Sequence, residues 1–560
     1  MQPTATAVFA KPSVARLPVQ LGLVVLLLAL VLPVGSVLSS WLVLGDAGPL
    51  GQDVRQMLAA MASTVLLDYA LTTVWLCLGV AGGVVAVGLG AALAVTLCEF
   101  PGRRYFEWAL LLPLAMPAYV VAYAYTDFLQ FSGPLQGAIR SLLGVQGRVF
   151  PEVRNTAGAI WVFTFTLYPY VYLLARTALA ERTAHLMEAA RLMGAPLGRR
   201  LRTIALPMAR PAVAAGVALA LMEALADYGV SSYFGIQTFT AGIYKAWLAM
   251  DNRWVAAQLA TVLLLLVAVL LALEQRAQRR LRFTSVKGLR AGSADARPIV
   301  LVGAQRWVAW GACVVPVVMG FVLPVLFMVR PLWAYDEPLP WEPFAQWAWN
   351  SLRLGGTTAV IAVGIAWMLA YGLRRQARAG GVLLPTAARV VGLGYAIPGA
   401  VVVVGLLLPV GWLQHRWPQA QVGYWVTATA FGLVWAYLVR FVAVALQSLQ
   451  SGYTRVPTSL DESARMLGAR SLRLLGSVHW PLLRRSVAAA ALLVFVDVMK
   501  ELPATLVLRP FNSDTLAVVA YQLARDERLG EAALPCLALV LVGLIPVILL
   551  SRTLRAPLRQ

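Results

Sequence analysis

Glu188-Ala189-Ala190-Arg191-Leu192-Met193-Gly194, followed after nine intervening residues by Ile204-Ala205-Leu206-Pro207, decides the fold. The pattern returns as Glu462-Ser463-Ala464-Arg465-Met466-Leu467-Gly468 and, at the same interval, Val478-His479-Trp480-Pro481. Each copy is a polar, arginine-rich stretch set between long apolar runs. In the first copy Thr183 can cap a short helix built from good helix formers, Ala184 to Leu192, and Gly194 suits a left-handed cap. A second short amphipathic helix is expected over about 197–206, lying roughly parallel to a membrane. Leu197, Leu201 and Ile204 share one of its faces, its arginines meet water and headgroups, and Pro207 opens the approach to the next long helix. A loop of this design, made twice, reads as a surface offered to a cytoplasmic partner. The plainer reading is an interfacial helix with no partner.

Working outward, the 560 residues are 60% hydrophobic and 13% charged, against about 25% charged in soluble domains. The chain is therefore expected to be an all-α polytopic membrane protein. Its net charge of +21 sits in short loops between apolar runs, the pattern of positive-inside orientation, so lipid rather than nucleic acid is the expected surroundings. Cys77, Cys98, Cys313 and Cys536 are scattered in or beside apolar runs and show neither a disulfide framework nor zinc spacing. His185, His415 and His479 lie far apart, and no metal site is assigned.

Lys11 and Arg16 precede an apolar run over about 17–44, too long for the core of a cleaved signal and counted as helix 1. Further spans are expected near 71–98, 106–130, 156–180, 211–230, 255–274, 304–330, 350–373, 383–410, 422–446, 485–503 and 532–552. About twelve transmembrane helices result, with both termini on one side. Arg103-Arg104, Arg199-Arg200-Leu201-Arg202, Arg279-Arg280, Arg374-Arg375, Arg552, Arg555 and Arg559 fall on that side, whereas Asp46, Asp53, Asp336, Glu337 and Glu342 fall on the other. The basic side is expected to be cytoplasmic.

Residues 274–298 are polar and basic and are interrupted by Gly288, Gly292 and Ser293. They divide the chain into 1–275 (helices 1–6, loop 182–210), a linker over 276–302, and 303–560 (helices 7–12, loop 448–484). Glu188 matches Glu462, Glu223 matches Asp497 and Asp227 matches Glu501, all at an offset of 274. One residue later in register, Thr240 matches Thr515 and Asp251-x-Arg253 matches Asp526-x-Arg528. Pro117 pairs with Pro398. Both loops follow the fourth helix of their half, so two parallel six-helix repeats are expected.

The motif Glu-Ala-Ala-x3-Gly-x9-Ile-x-Leu-Pro resembles the signature loop of permease subunits in bacterial ABC importers. The first copy matches throughout; the second departs at Ser463, Val478 and Trp480 and keeps Glu462, Ala464, Gly468 and Pro481. The resemblance implies two fused permease domains in a bacterial inner membrane. It implies that Glu188, Ala189, Ala190, Gly194, Ile204, Leu206 and Pro207, with Glu462, Ser463, Ala464, Gly468, Val478 and Pro481, belong to coupling helices seated on a cytoplasmic ATPase dimer. A substrate-binding protein would dock outside. The only lysines are Lys11, Lys245, Lys287 and Lys500, and none follows a glycine. The chain thus lacks a phosphate-cradling loop and reads as a transport subunit rather than an enzyme, with ATP and Mg2+ on the partner and no cofactor of its own. ATP would draw the partner subunits together and rock one half against the other.

Glu223 is about 18 Å along a helix starting near Pro211, well inside the hydrocarbon, and Asp227 follows one turn later on the same face. Asp497, Lys500 and Glu501 repeat the arrangement. A charge at the bilayer centre costs at least about 2.5–3.5 kcal/mol, so these groups should face the bundle interior. With Tyr228 they are candidates for a cation-conducting passage. The competing reading pairs Lys500 with Asp497 and leaves Asp227 and Glu501 at broken helix ends. Tyr168-Pro169-Tyr170-Val171-Tyr172 reads as a kinked segment whose tyrosines either line a cavity or, the favoured reading, pack as aromatics, and Gly79-x3-Gly83 as a close-packing motif.

For cargo, Ala226-Asp227-Tyr228-Gly229, Tyr233-Phe234-Gly235, Thr238 to Tyr244 and Asp251-x-Arg253 resemble ferric-iron importer permeases. So do Met499-Lys500-Glu501-Leu502-Pro503-Ala504-Thr505, Leu508 to Asn512 and Asp526-Glu527-Arg528. Thiamine permeases share the fused layout, followed by phosphonate, sulfate and polyamine permeases. An ion-coupled secondary transporter would also have twelve helices and buried acids, without needing duplicated loops.

Overall fold

The computed structural model describes residues 17–45, 48–182, 184–283, 299–334, 340–376, 383–469 and 471–555. Thr183, Asp46, Asp336, Glu337, Arg559, Lys11, Lys287 and most of the expected linker lie outside them. The protein is a bundle of long apolar helices. In chain order the principal ones are α1 (Leu17–Ser39), α2 (Leu66–Leu97), α3 (Ala118–Leu129), α4 (Thr156–Arg182), α5 (Leu206–Ala226) and α6 (Arg253–Phe283). They continue as α7 (Ala304–Val317), α8 (Trp341–Gln376), α9 (Gly399–Arg416), α10 (Ala430–Tyr453), α11 (Trp480–Lys500) and α12 (Leu529–Arg555).

Among the described residues ten helices are long and apolar enough to cross a membrane, or eleven when one bent pair counts as a single span. The shortfall from twelve has a physical cause. Helix α11 has 21 residues but carries Arg484, Arg485, Asp497 and Lys500, so no stretch of membrane length within it is free of charge. The expected span near 106–130 is bent by 89° between Ala115 and Ala118. The one expected near 383–410 is likewise not continuous: Leu383–Gly392 stops, a short turn Gly394–Ala396 follows, and α9 starts at Gly399. Pro117 and Pro398 sit at these breaks with extended backbone. Neither proline can continue the preceding helix, because each lacks the N–H and clashes with the turn before it.

Close backbone approach holds α2 against α4. A Cβ on Gly79 would collide with Ile160, and one on Gly83 with Thr164, so the small-residue pair does the packing its spacing predicts. The first helix of each stretch crosses over to the other. In α1 the Ala29 carbonyl accepts from Trp435 Nε1 of α10 at 2.8 Å, and Ser36 donates to the Gly405 carbonyl of α9. In α7, Ala309, Cys313 and Val317 are buried in the core built mainly by α2 to α6. A two-residue parallel pairing, Cys98–Glu99 with Ile299–Val300, pins the chain entering α7 to the end of α2.

Candidate functional site

The loop between α4 and α5 folds as a short helix, Ala184–Leu192, a turn, a further helical turn Leu197–Arg200, and a widened π-turn Leu201–Ala205 that runs straight into α5. Its partner repeats the succession: Thr458–Met466, a turn, Ser471–Leu474, the π-turn Leu475–His479, then α11. Gly194 and Gly468 take φ of +78° and +81°, the left-handed region that glycine enters without steric cost. Ala195 N–H reaches back to the Ala190 carbonyl at 3.0 Å, and Ala469 N–H to Ala464 at 2.9 Å, closing both short helices by the same glycine-dependent cap.

The expectation of a separate in-plane helix over 197–206 is corrected. Leu197–Ala226 is one continuous 30-residue rod, and the separate short helix is Ala184–Leu192. The π-turn explains how Pro207 is accommodated: Leu206 N–H bonds Leu201 O, five residues back, so the turn widens just where proline has no N–H to give. Trp480 N–H bonds Leu475 O ahead of Pro481 in the same way, and Leu323 N–H bonds Val318 O ahead of Pro324. Leu197, Leu201 and Ile204 pack against the main core. Arg200 differs from the expected solvated arginine: it is buried, its Nη1 3.5 Å from the Met187 carbonyl.

Both loop tips expose an apolar pair that motif reading passed over. Leu192 and Met193 are 82% and 80% exposed, and Met466 and Leu467 are each 88% exposed. Duplicated tips this apolar are more than scattered surface leucines. Around them Ala189, Glu462 and Ser463 are exposed, Glu188, Ala464, Ile204, Leu206, Pro207 and Val478 are half-buried, Ala190 is buried, and Pro481 is exposed.

The intramembrane charges converge. Glu223, Asp227, Asp497, Lys500 and Glu501 all line one cavity of about 190 Å3. Its walls come from both stretches of the chain: Tyr119, Thr166 and Tyr170 on one side, Tyr395, Arg440 and Phe441 on the other. Tyr228 does not line it; its ring packs on Tyr244 at 4.0 Å and Tyr521 at 5.9 Å between centroids. Both α5 and α11 stop where a carboxylate can cap the next short helix. Asp227 Oδ1 accepts from Val230 N–H at 2.7 Å. Glu501 accepts from Ala504 N–H and Thr505 N–H, both at 3.0 Å, and from Thr505 Oγ1 at 2.8 Å. Glu501 also pairs with Arg440 at 3.0 Å, so its buried charge is neutralised and its lone pairs filled. Glu223 accepts from Tyr395 Oη at 2.8 Å, and Lys500 Nζ donates to the Leu114 carbonyl at 3.0 Å.

Arg440 and Tyr395 were not singled out for this cavity, whereas Tyr170 belongs to the tyrosine run that could line one. The signal for Arg440 was present, since it is the sole charged residue of α10. Tyr395 gave none, because its role depends on the break before α9. The tyrosine run in α4 splits: Tyr170 faces the cavity, while Tyr168 and Tyr172 are fully buried and Tyr172 Oη donates to the Glu107 carbonyl at 3.1 Å.

A cavity walled by two helix sets, with paired loops below it, defines a multi-pass membrane transport protein. Residues 85–283 match the family described as binding-protein-dependent transport system inner membrane component. The chain is 23% identical over 506 residues to the Fe(3+)-transport system permease protein FbpB 2 of Haemophilus influenzae, covering 89% of this chain and 90% of that one. It is 33% identical over 179 residues to a putative ABC transporter permease protein, ORF1, of Streptomyces antibioticus, covering 32% of this chain and 72% of that one. It is also 23% identical over 231 residues to the putative 2-aminoethylphosphonate transport system permease protein PhnU of Salmonella paratyphi A, covering 41% of this chain and 77% of that one. The chain belongs to the binding-protein-dependent permease family: it is a multi-pass inner-membrane transport subunit of an ABC importer and not itself an enzyme.

Proposed function

We propose that this permease carries ferric iron, released by an external binding protein, through the cavity between its two halves, with a cytoplasmic ATPase dimer seated on the two loops. The single observation that supports the passage is the convergence of Glu223, Asp227, Asp497 and Glu501 on one cavity shared by both halves. A hard trivalent ion favours such oxygen donors. Among the described residues no group of three or more His, Cys, Asp or Glu is arranged to hold a metal ion. The iron-permease relative also aligns across both halves, whereas the phosphonate relative covers 41% of the chain. On this reading Leu192, Met193, Met466 and Leu467 anchor the ATPase together with the motif residues around them, and both termini are cytoplasmic.

Arg440 and Lys500 on the same wall keep an anionic cargo such as a phosphonate as the second reading; thiamine, sulfate and polyamines are the remaining alternatives. The test is uptake into vesicles holding the permease, its ATPase and ATP, with the external binding protein supplied. Iron uptake that requires ATP supports the proposal. Uptake of a phosphonate and not iron, or uptake driven by an ion gradient without the ATPase, overturns it.

A further inference from the structure

The two loops share a backbone path but are fixed to the bundle by different chemistry. In the second, Asp461 lies on the short helix Thr458–Met466, and Arg374 near the end of α8 grips its carboxylate with Nε to Oδ2 at 2.8 Å and Nη2 to Oδ1 at 3.0 Å. The same guanidinium donates to the carbonyls of Tyr453 at 3.3 Å, Val456 at 2.8 Å and Pro457 at 2.9 Å. From the π-turn, His479 Nε2 meets Asp461 Oδ1 at 3.0 Å, and its Nδ1 meets Tyr453 Oη at 3.2 Å. Trp367 Nε1 donates to that hydroxyl at 3.2 Å. His479 is fully buried and Asp461 nearly so.

At the offset of 274 the first loop has Met187 for Asp461, Ala205 for His479 and Leu179 for Tyr453, all apolar and buried. Among the described side chains of this loop, Arg200 reaches the Met187 carbonyl at 3.5 Å. So this fold can close the joint with ordinary apolar packing, and replacing a buried ion pair by apolar residues is often neutral or stabilising. Stability alone does not call for the network. Its distinguishing property is direction: charge-assisted bidentate hydrogen bonds fix an angle, whereas apolar contact is non-directional and lets surfaces slide.

We propose that the two joints are mechanically unequal: the second loop is a stiff lever fixed to α8, α10 and α11, the first a compliant bearing, and Arg374, Asp461 and His479 are positioning residues that convert ATPase movement into transport. This rests on the reading of the loops as ATPase contacts. The test compares cargo imported per ATP hydrolysed in vesicles holding the full complex, with the wild type run first. Wild-type uptake that needs ATP bears on the functional reading; the ratio of variant to wild type bears on the joint. Asp461→Asn is expected to keep ATP hydrolysis while cargo per ATP falls about ten-fold, the size of a typical inter-site coupling energy. A second variant copies the first joint with Asp461→Met, His479→Ala and Tyr453→Leu, and adds Arg374→Leu so that no buried charge is left unpaired. It is expected to assemble, hydrolyse ATP and show the same loss. If its cargo per ATP equals the wild type's, or if hydrolysis and transport fall together in both variants, the network only stabilises the fold and the proposal is overturned.

Discussion

Arg440 and Glu501 pair at 3.0 Å with both side chains almost shut off from solvent, and the consequence is asymmetric. Removing one partner of a buried pair strands the other charge, at about 3–5 kcal/mol. Arg440→Leu is therefore expected to lower the thermal unfolding midpoint of the solubilised protein, whereas Arg440→Leu combined with Glu501→Gln recovers part of that loss. A single variant as stable as the wild type would show that the pair is solvated. Glu223 and Asp497 cap no short helix, so Glu223→Gln and Asp497→Asn are expected to reduce uptake at normal protein levels; normal uptake in both would remove them from the passage. Asp461 offers a pH signature outside the bilayer. Burial favours its neutral form, but Arg374 and His479 outweigh that and hold its carboxyl below the usual carboxylate range. With the folded value depressed, its contribution is fully present above the unfolded value, about 4, and is lost as pH falls through the folded value. Unfolding midpoints of the wild type and Asp461→Asn are thus expected to differ by a constant amount near neutrality and to converge below about pH 4. A gap that persists in acid would mean the carboxylate is not what stabilises the joint.

At the scale of elements, glycine and proline carried the most legible information. Gly194 and Gly468 could be read as left-handed caps because no side chain adopts that backbone cheaply. Gly194→Ala and Gly468→Ala are each expected to cost about 1–2 kcal/mol locally and to weaken ATPase binding to the permease in a pull-down; unchanged binding would show that the turn geometry is irrelevant to the partner. Pro207 and Pro481 were legible as punctuation but not as π-turns. A proline states only that an N–H is missing, and whether the chain stops, kinks or widens depends on what packs around it. Packing of α5 on α4 and α6 keeps the rod intact, so the chain widens by one turn. Pro117 and Pro398 show the opposite outcome, a true break. Apolar composition alone could not foresee it, because hydropathy is blind to direction.

For the whole molecule, the runs of apolar residues gave the helices and their order, while their partners stayed hidden. Nothing local in α1 says that Ala29 and Ser36 will meet Trp435 and Gly405; every apolar face is equally acceptable to a hydrophobic neighbour. The acids of the cavity were legible, since buried charge is costly wherever it falls, but the neutralisation of Glu501 by Arg440 required two helices to be brought together. The same long-range pairing supplies a prediction about movement. On the side of the cavity away from the loops, the two helix sets are joined by Ser232 Oγ with Tyr521 Oη at 2.7 Å and by Arg154 with Glu527 at 3.5 Å. Between these links and the cavity, Tyr119, Tyr123 and Tyr233 pack in series, with centroids 5.7 Å and 4.6 Å apart, and Arg154 lies 4.7 Å over the last ring. On the proposed route, cargo delivered by an external binding protein would part this seal, and the two helix sets would separate there on every cycle. Ser232→Cys with Tyr521→Cys, bridged by a bis-methanethiosulfonate reagent that spans the length of the lost tyrosine ring, is expected to abolish uptake and to restore it on reduction; a direct disulfide would need the two Cβ atoms about 4 Å apart, closer than a contact at the tyrosine hydroxyl brings them. Full uptake in the bridged state, with the crosslink verified by mass spectrometry, would place the route elsewhere and leave the tyrosine column a purely structural core.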